Sequence, residues 1–345
     1  MGINDVKVSF IVTYYNQKKY VKESIESILK IKKEFEWDIV VGDDGSNDGT
    51  IEEVNEYICK YPQNIRLYVM PREEGKKYDS VKRASANRLN ALEHAEGQFF
   101  CILDGDDYYS DTQFVVDAIN EFVLDEKISV VMFGYKYLSS GVYSDSIVLP
   151  RKVLPGRIDK SMYINSYYTH AGACVFRKHT DVKRIEYIRK LGYYDDNDIV
   201  INNLNYGDIY YINRAIYVYR QTGNSVYTSM NKLEQAVLNV QGLDVDLKLI
   251  EKKYGENLIS RNAVSIILMY IWKKRLIKVL GNEKINKYKQ GCESLLPSLC
   301  LGLLEYNILS KEQKKEINRV YRFAKKNNRK YLYKERIKFI MRREL

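Results

Sequence analysis

Phe99-Phe100-Cys101-Ile102-Leu103-Asp104-Gly105-Asp106-Asp107 is an apolar run of five residues that ends in three carboxylates spaced only by a glycine. A run that short suits a buried strand and is too short for a helix. Like charges crowded together repel, and folding alone gives no reason to place them there. A hard divalent cation bound by their oxygens would supply one. The C-terminal end of a buried parallel strand is also where open α/β sheets bind their ligands. The plainer reading is a polar turn after a strand, and neighbouring blocks have to decide between the two.

Working outward, Val8-Ser9-Phe10-Ile11-Val12 is a compact β-rich run followed by the loop Thr13-Tyr14-Tyr15-Asn16. Tyr20, Val21, Ile25, Ile28 and Leu29 then recur at helical spacing. Ile39-Val40-Val41 reads as a second buried strand and runs into Gly42-Asp43-Asp44-Gly45-Ser46-Asn47-Asp48-Gly49-Thr50. Val54, Tyr57, Ile58 and Tyr61 form another helical face, ended by Pro62. Ile65 to Met70 reads as a third strand, and residues 81–95 have a helical pattern. Alternating strands and helices predict a mostly parallel sheet with crossover helices. Right-handed crossovers then bring residues 13–16, 43–49 and 104–107 to one edge of the sheet.

Other readings of these loops fit poorly. A calcium loop counted from Asp44 puts Asn55 where a bidentate Glu is required. There is no GxxxxGK[ST] and no GxGxxG after the first strand, so phosphate-loop and dinucleotide readings lack support. A phosphoryl-aspartate hydrolase would want Thr or Val soon after its paired Asp residues, and Asp104 to Tyr108 has neither.

Four blocks in order, Val8 to Asn16, Asp43 to Thr50, Ala95-Glu96-Gly97 and Asp104 to Asp107, resemble the family 2 glycosyltransferases of GT-A fold. The resemblance covers roughly residues 6–225. It implies an α/β nucleotide-diphospho-sugar transferase fold over residues 1–228, followed by a helical C-terminal region over 229–345. It implies that Thr13 and Tyr15 lie beside the nucleotide base and that Asp44 accepts a hydrogen bond from a uracil-type base. Arg88 matches an Arg of the family pattern, which implies a contact to the nucleotide-sugar, although Leu89 and Ala91 replace the Asn and Gly that accompany it. Asp104 matches the ribose or metal carboxylate and Asp106 the metal-coordinating one, with Asp107 extending the cluster. The implied ligands are a UDP-sugar and Mn2+ or Mg2+, which would stabilise the charge of the departing diphosphate.

An inverting transfer also needs a base for the acceptor hydroxyl. The family places it in a Glu-Asp pair at a helix start, about eleven residues before a glycine that precedes a strand. Asp195-Asp196 resembles it, with Asp195 in place of the Glu, Gly207 eleven residues after Asp196 and a strand-like run at Ile209 to Tyr211. Asp196 is the expected base and Asp198 its competitor. Stabilisation of the helix dipole would account for all three acids equally well. Ser129 to Phe133 reads as a strand, residues 142–170 as acceptor-side loops, and His170 to Arg177 as a strand facing the acceptor. His170 could touch the donor diphosphate or the acceptor, although a lone His is more often structural. Arg220, in a segment resembling the family's closing Tyr-Arg, is a candidate contact to the diphosphate.

Composition fits this assignment. At 345 residues there is room for an α/β domain and an appendage, and 45% hydrophobic with 29% charged residues is ordinary for a folded protein. Five cysteines show no metal-ligand spacing and read as reduced thiols of a cytoplasmic protein. The longest apolar candidate, Ala263 to Trp272, is broken by Ser265 and is too short to span a membrane. Beyond residue 230, Val237, Val240, Leu243, Leu247 and Ile250 are helically spaced. From Lys311 to Leu345 there are 14 Lys and Arg against 4 Glu, an excess equal to the whole chain's +10. That tail reads either as a solvated basic helix or as an interfacial helix on an anionic inner membrane face. No nucleic-acid-binding module accompanies the charge. The sequence therefore predicts an inverting, metal-dependent transferase moving a sugar from a UDP-sugar to a hydroxyl of a glycan or lipid-linked glycan, the alternative being a non-catalytic nucleotide- or glycan-binding relative that acts as a membrane-recruited assembly module. Surface-polysaccharide assembly is the setting that the resemblance implies.

Overall fold

The computed structural model describes residues 5–144, 154–166, 169–222 and 232–255, together with Leu258 and Lys315. Packing divides the chain into two compact units, Met1–Thr228 and Ser229–Leu345. The first opens with β1 (Lys7–Tyr14), α1 (Lys18–Leu29), β2 (Glu36–Asp43), α2 (Thr50–Lys60), β3 (Ile65–Val69), α3 (Ser80–Glu93) and β4 (Phe99–Asp104). It continues through β5 (Tyr108–Tyr109), α4 (Phe114–Leu124), β6 (Ile128–Ser139), β7 (Val142–Tyr143), β8 (Gly156–Ile158) and α5 (Lys160–Ser166). It closes with β9 (Cys174–Arg177), α6 (Val182–Leu191), α7 (Asp196–Asn203) and β10 (Asp208–Gln221). The resulting α/β architecture is a single mixed sheet with flanking helices.

Sheet order is β3-β2-β1-β4-β9-β6-β10-β5, with β7 on β6 and β8 on β10. The β3-β2-β1-β4 half is parallel throughout. Its strands read as continuous apolar runs because helices cover both faces. Val8, Phe10, Ile11, Val12, Ile39, Val40, Cys101 and Leu103 are fully buried, as are Val21, Ile25 and Ile28 on the inner face of α1. Register fixes the site. Thr13 pairs with Gly42 on one side and with Asp104 on the other, and Tyr14 pairs with Asp43. The three polar loops therefore leave the sheet at one level, as the strand–helix alternation predicts.

The second half of the sheet departs from the sequence reading in detail. β9 runs antiparallel between β4 and β6, where parallel strands alone would need another crossover. The expected strand from His170 begins only at Cys174, because Ala171–Ala173 forms a 3₁₀ turn capped by the His170 side chain. β6 extends six residues beyond Phe133, and β10 runs unbroken from Asp208 through Tyr219, Arg220 and Gln221. Those two strands sustain each other by parallel pairing across several register shifts, a long-range arrangement that local periodicity does not encode.

In the second unit, α8 (Lys232–Leu249) precedes a short 3₁₀ turn at Lys252–Tyr254, and Leu243, Val245, Leu249 and Ile250 are buried. Among the described residues, no helix is long and apolar enough to cross a membrane. Ala263 to Trp272 lies outside the described residues, as does the basic tail apart from Lys315.

Candidate active site

The first two loops are stitched together at the end of β1. Asn16, in the left-handed region at φ 52°, donates its N–H to Ser46 Oγ (2.8 Å) and accepts from Asn47 N–H at Oδ1 (2.9 Å). Asn is among the few side chains that tolerate this conformation. The paired acids after β2 have separate jobs. Asp43 is buried and braces the turn, accepting from Ser46 N–H (2.7 Å) and Ser46 Oγ (2.6 Å). Asp44 is 4% exposed and lies between two guanidinium groups. Arg83 Nε donates to its Oδ1 at 2.5 Å, Arg72 Nη2 pairs with its Oδ2, and Arg72 Nε donates to its carbonyl at 2.6 Å. The Arg72 guanidinium also sits 3.9 Å from the ring centroid of Tyr15, which is 45% exposed. Sequence reasoning found Tyr15 and Asp44 but not the two arginines. One lies in the loop after β3 and the other in the first turn of α3, where a basic residue reads as a solvated charge.

At the end of β4, Thr13 Oγ1 donates to Asp104 Oδ1 (3.4 Å). Gly105 is required by a close approach, since a Cβ there would come within 2.1 Å of the Tyr14 ring. The three carboxylates then part company. Burial and the nearby Asp104 charge push the Asp106 carboxyl up to about 6. Asp107 is buried as a bracket, accepting from Tyr217 OH at Oδ2 (2.5 Å) and from Arg220 N–H at Oδ1 (2.7 Å). Arg220 holds the same loop, donating from Nε to Asp106 O (2.8 Å) while its Nη2 pairs with Glu23. The contacts of Arg220 thus anchor the acidic loop to β10 and α1.

Asp196 reaches this edge from the first turn of α7. Asp195 caps the helix, accepting from Asn197 N–H at 3.2 Å, and Asp198 Oδ2 accepts from Asp195 N–H at 2.8 Å. This reciprocal arrangement is a capping box, and it occupies Asp198, which is fully buried. Asp196 stands outside it. Its Oδ1 lies 3.5 Å from Arg88 Nη2, and its Oδ2 lies 3.3 Å from His170 Nε2. Arg88 is 8% exposed and uses the same Nη2 to contact Asp104 Oδ1 at 3.2 Å, while its Nη1 donates to Tyr194 O at 3.3 Å. One buried guanidinium therefore joins the end of β4 to the start of α7. His170, read from sequence as more often structural, belongs to the same cluster. Ligand-type atoms of Asp104, His170 and Asp196 all lie within 4.8 Å of one another.

The electrostatics separate the two bridged carboxylates. Burial works to raise Asp104, but the Arg88 guanidinium, backed by the Thr13 hydroxyl, holds it below the usual carboxylate value. Burial also raises Asp196, and there the opposing pull, in which His170 takes part only when it is protonated and Arg88 always, leaves the carboxyl above its ordinary value. A firmly ionised carboxylate beside a more basic one is how a site divides electrostatic and proton-accepting roles between two acids. Arg88 already supplies positive charge to the Asp104–Asp196 pair. At Asp106 burial and the Asp104 charge outweigh the opposing pull of Arg220 and Gln17, and with Asp104 it offers the hard oxygen ligands that Mg2+ or Mn2+ prefers.

Known proteins share both sequence and fold with this chain. The putative glycosyltransferase EpsE of Bacillus subtilis is 35% identical over 101 residues, 29% of this chain and 33% of EpsE. The Escherichia coli UDP-Glc:alpha-D-GlcNAc-diphosphoundecaprenol beta-1,3-glucosyltransferase WfgD is 26% identical over 159 residues, 46% of this chain and 57% of WfgD. The chain thus spans about a third to just over half the length of these curated relatives. The crystal structure of S. aureus TarS 1–349 in complex with UDP-GlcNAc shares the fold, with a TM-score of 0.52 at 18% identity over 97% of this chain and 88% of that one. The glycosyl transferase family 2 model matches residues 9–181, half of the chain from β1 past β9, and the chain belongs to that family.

Proposed function

We propose that this chain is an inverting, metal-dependent glycosyltransferase that moves a sugar from a UDP-sugar to a hydroxyl of a glycan or lipid-linked glycan. The observation that carries this reading is the Asp104–Arg88–Asp196 chain, in which an ionised donor-side carboxylate and a more basic acceptor-side one share one buried cation. In this reading Tyr15 and Asp44 receive the base, Thr13 and Asp104 border the ribose, and Asp104 and Asp106 hold the metal. When bound, Mn2+ or Mg2+ would offset the charge that develops on the departing diphosphate. Asp196 takes the proton of the acceptor hydroxyl as that oxygen attacks the anomeric carbon from the face opposite the leaving UDP, which inverts the configuration. Surface-polysaccharide assembly is supported by the relatives, WfgD by its name acting on a diphosphoundecaprenol-linked sugar and TuaG of Bacillus subtilis carrying a putative teichuronic acid role.

UDP release from a panel of UDP-sugars, followed with and without Mn2+, tests the donor side. Wild type should turn over only with metal, and Asp106→Ala should lose at least a hundredfold. Equal turnover after EDTA treatment would remove the metal from the mechanism. The basic tail is proposed to hold the enzyme on anionic membrane. Full-length chain should co-sediment with phosphatidylglycerol vesicles and a chain ending at residue 310 should not; equal sedimentation of both would refute it.

A further inference from the structure

His170 is built into the site by its backbone, its ring and its neighbours. It caps the 3₁₀ turn at Ala171–Ala173, accepting the Gly172 N–H at Nδ1 over 3.1 Å. A ring nitrogen that accepts a hydrogen bond carries no proton in neutral imidazole, so the proton belongs on Nε2. Nε2 is the nitrogen that faces Asp196 Oδ2 at 3.3 Å. The ring itself is held by aromatic contacts. Tyr217 stacks on it at 4.9 Å between centroids, and Tyr219 and Tyr135 flank it at 5.2 and 5.6 Å. Gly172 must be glycine for this packing, because a Cβ there would lie 2.3 Å from the Tyr217 ring. Tyr217 in turn donates its hydroxyl to Asp107, so the His170 pocket and the acidic loop share one support.

The two oxygens of Asp196 are not equivalent. Oδ1 is buried, faces Arg88 and accepts no hydrogen bond from the described residues, so a hydroxyl arriving from solvent cannot meet it. Oδ2 is the oxygen beside His170. A carboxylate oxygen has two lone-pair directions, and one can face Nε2–H while the other meets the acceptor. Contacts of this kind are commonly long in the free enzyme and tighten when substrate binds.

We propose that His170 is a positioning residue for Asp196: its tautomer, set by the Gly172 N–H, directs Nε2–H to Oδ2 and orients that oxygen to take the acceptor proton. The inference rests on the transfer reaction proposed above. In the step, the acceptor O–H bond breaks to Oδ2, the hydroxyl oxygen bonds to the anomeric carbon, and the sugar–phosphate bond breaks with its electron pair leaving on UDP. His170 keeps its own proton throughout.

Three replacements separate positioning from packing. Gln places an N–H near Nε2 and should rescue, Asn reproduces only the Nδ1 side, and Phe keeps ring volume alone. His170→Gln should stay within about fivefold of wild-type kcat, while His170→Asn and His170→Phe should fall roughly ten- to a hundredfold with the KM for the UDP-sugar unchanged. Full activity in His170→Phe, or equal activity of the Gln and Asn variants, would overturn the proposal. A second readout does not depend on turnover. The chain has three histidines, and His94 is bonded through Nδ1 to Asn90 O at 2.7 Å, which calls for the opposite tautomer. Long-range nitrogen–proton NMR spectra should show His170 protonated at Nε2 and His94 at Nδ1. A His170 protonated at Nδ1 refutes the proposal even if no tested UDP-sugar is turned over; lack of turnover with the expected tautomer would count against the transfer reaction instead.

Discussion

Asp196→Asn should give a folded protein that binds UDP with wild-type affinity and transfers sugar about 10²- to 10⁴-fold more slowly, the usual contribution of a positioned base. The substitution is nearly isosteric and removes a partly buried carboxylate whose proton affinity is already raised by desolvation, so stability should hold or rise slightly. Asp198→Asn is the matching control. Asp198 accepts the Asp195 N–H within the capping box, and since the Asn carbonyl oxygen can accept the same N–H, the variant should stay within about 1 kcal/mol of wild-type stability and leave kcat within a few-fold. Stopped-time UDP release together with urea denaturation distinguishes the two variants. A slow Asp198→Asn beside an active Asp196→Asn would transfer the base assignment to Asp198.

The largest stability effect should come from Arg88→Met. Arg88 is almost fully buried between Asp104 and Asp196, and methionine would fill its volume without its charge. Removing one partner of a buried ionic cluster leaves the others uncompensated, at a cost of about 3–5 kcal/mol. The pH dependence gives the cause a sign. In the wild type Asp104 sits below its unfolded value, so its contribution is present above about pH 4 and fades as pH falls further. Without Arg88, burial should lift both carboxyls above their unfolded values. The variant should then be least stable at neutral pH, with the deficit narrowing as pH falls towards about 4. Urea midpoints in EDTA-containing buffer at pH 7 and pH 5 measure this directly. A deficit independent of pH would assign the loss to packing and not to charge.

The division of labour among the acids was only partly written in the sequence. Asp104, Asp106 and Asp107 look alike on paper, as do Asp195, Asp196 and Asp198. Tertiary contacts distinguish them: Tyr217 and Arg220 occupy Asp107, a cap occupies Asp195 and Asp198, and Arg88 bridges Asp104 to Asp196. From sequence His170 is a candidate contact to donor diphosphate or acceptor, weighed against the structural role a lone His more often has. Its partner Asp196 is 26 residues away and arrives only when α7 packs beside the 3₁₀ turn. Arg72 and Arg83 escaped for the same reason, since their meeting with Asp44 requires β2, the loop after β3, and α3 to be assembled first.

By itself, the sequence determined the alternation of strands and helices through Asp104, the edge of the sheet at which the polar loops emerge, and the family to which the chain belongs. Those features follow from local periodicity, from the rule that crossovers are right-handed, and from motifs whose residues are contiguous. Only the tertiary structure decided the antiparallel insertion of β9, the unbroken run of β10, and which carboxylate faces which cation. Each of these depends on pairings between residues far apart in the chain. The spacing of apolar residues records which face a segment buries, but not what it is buried against.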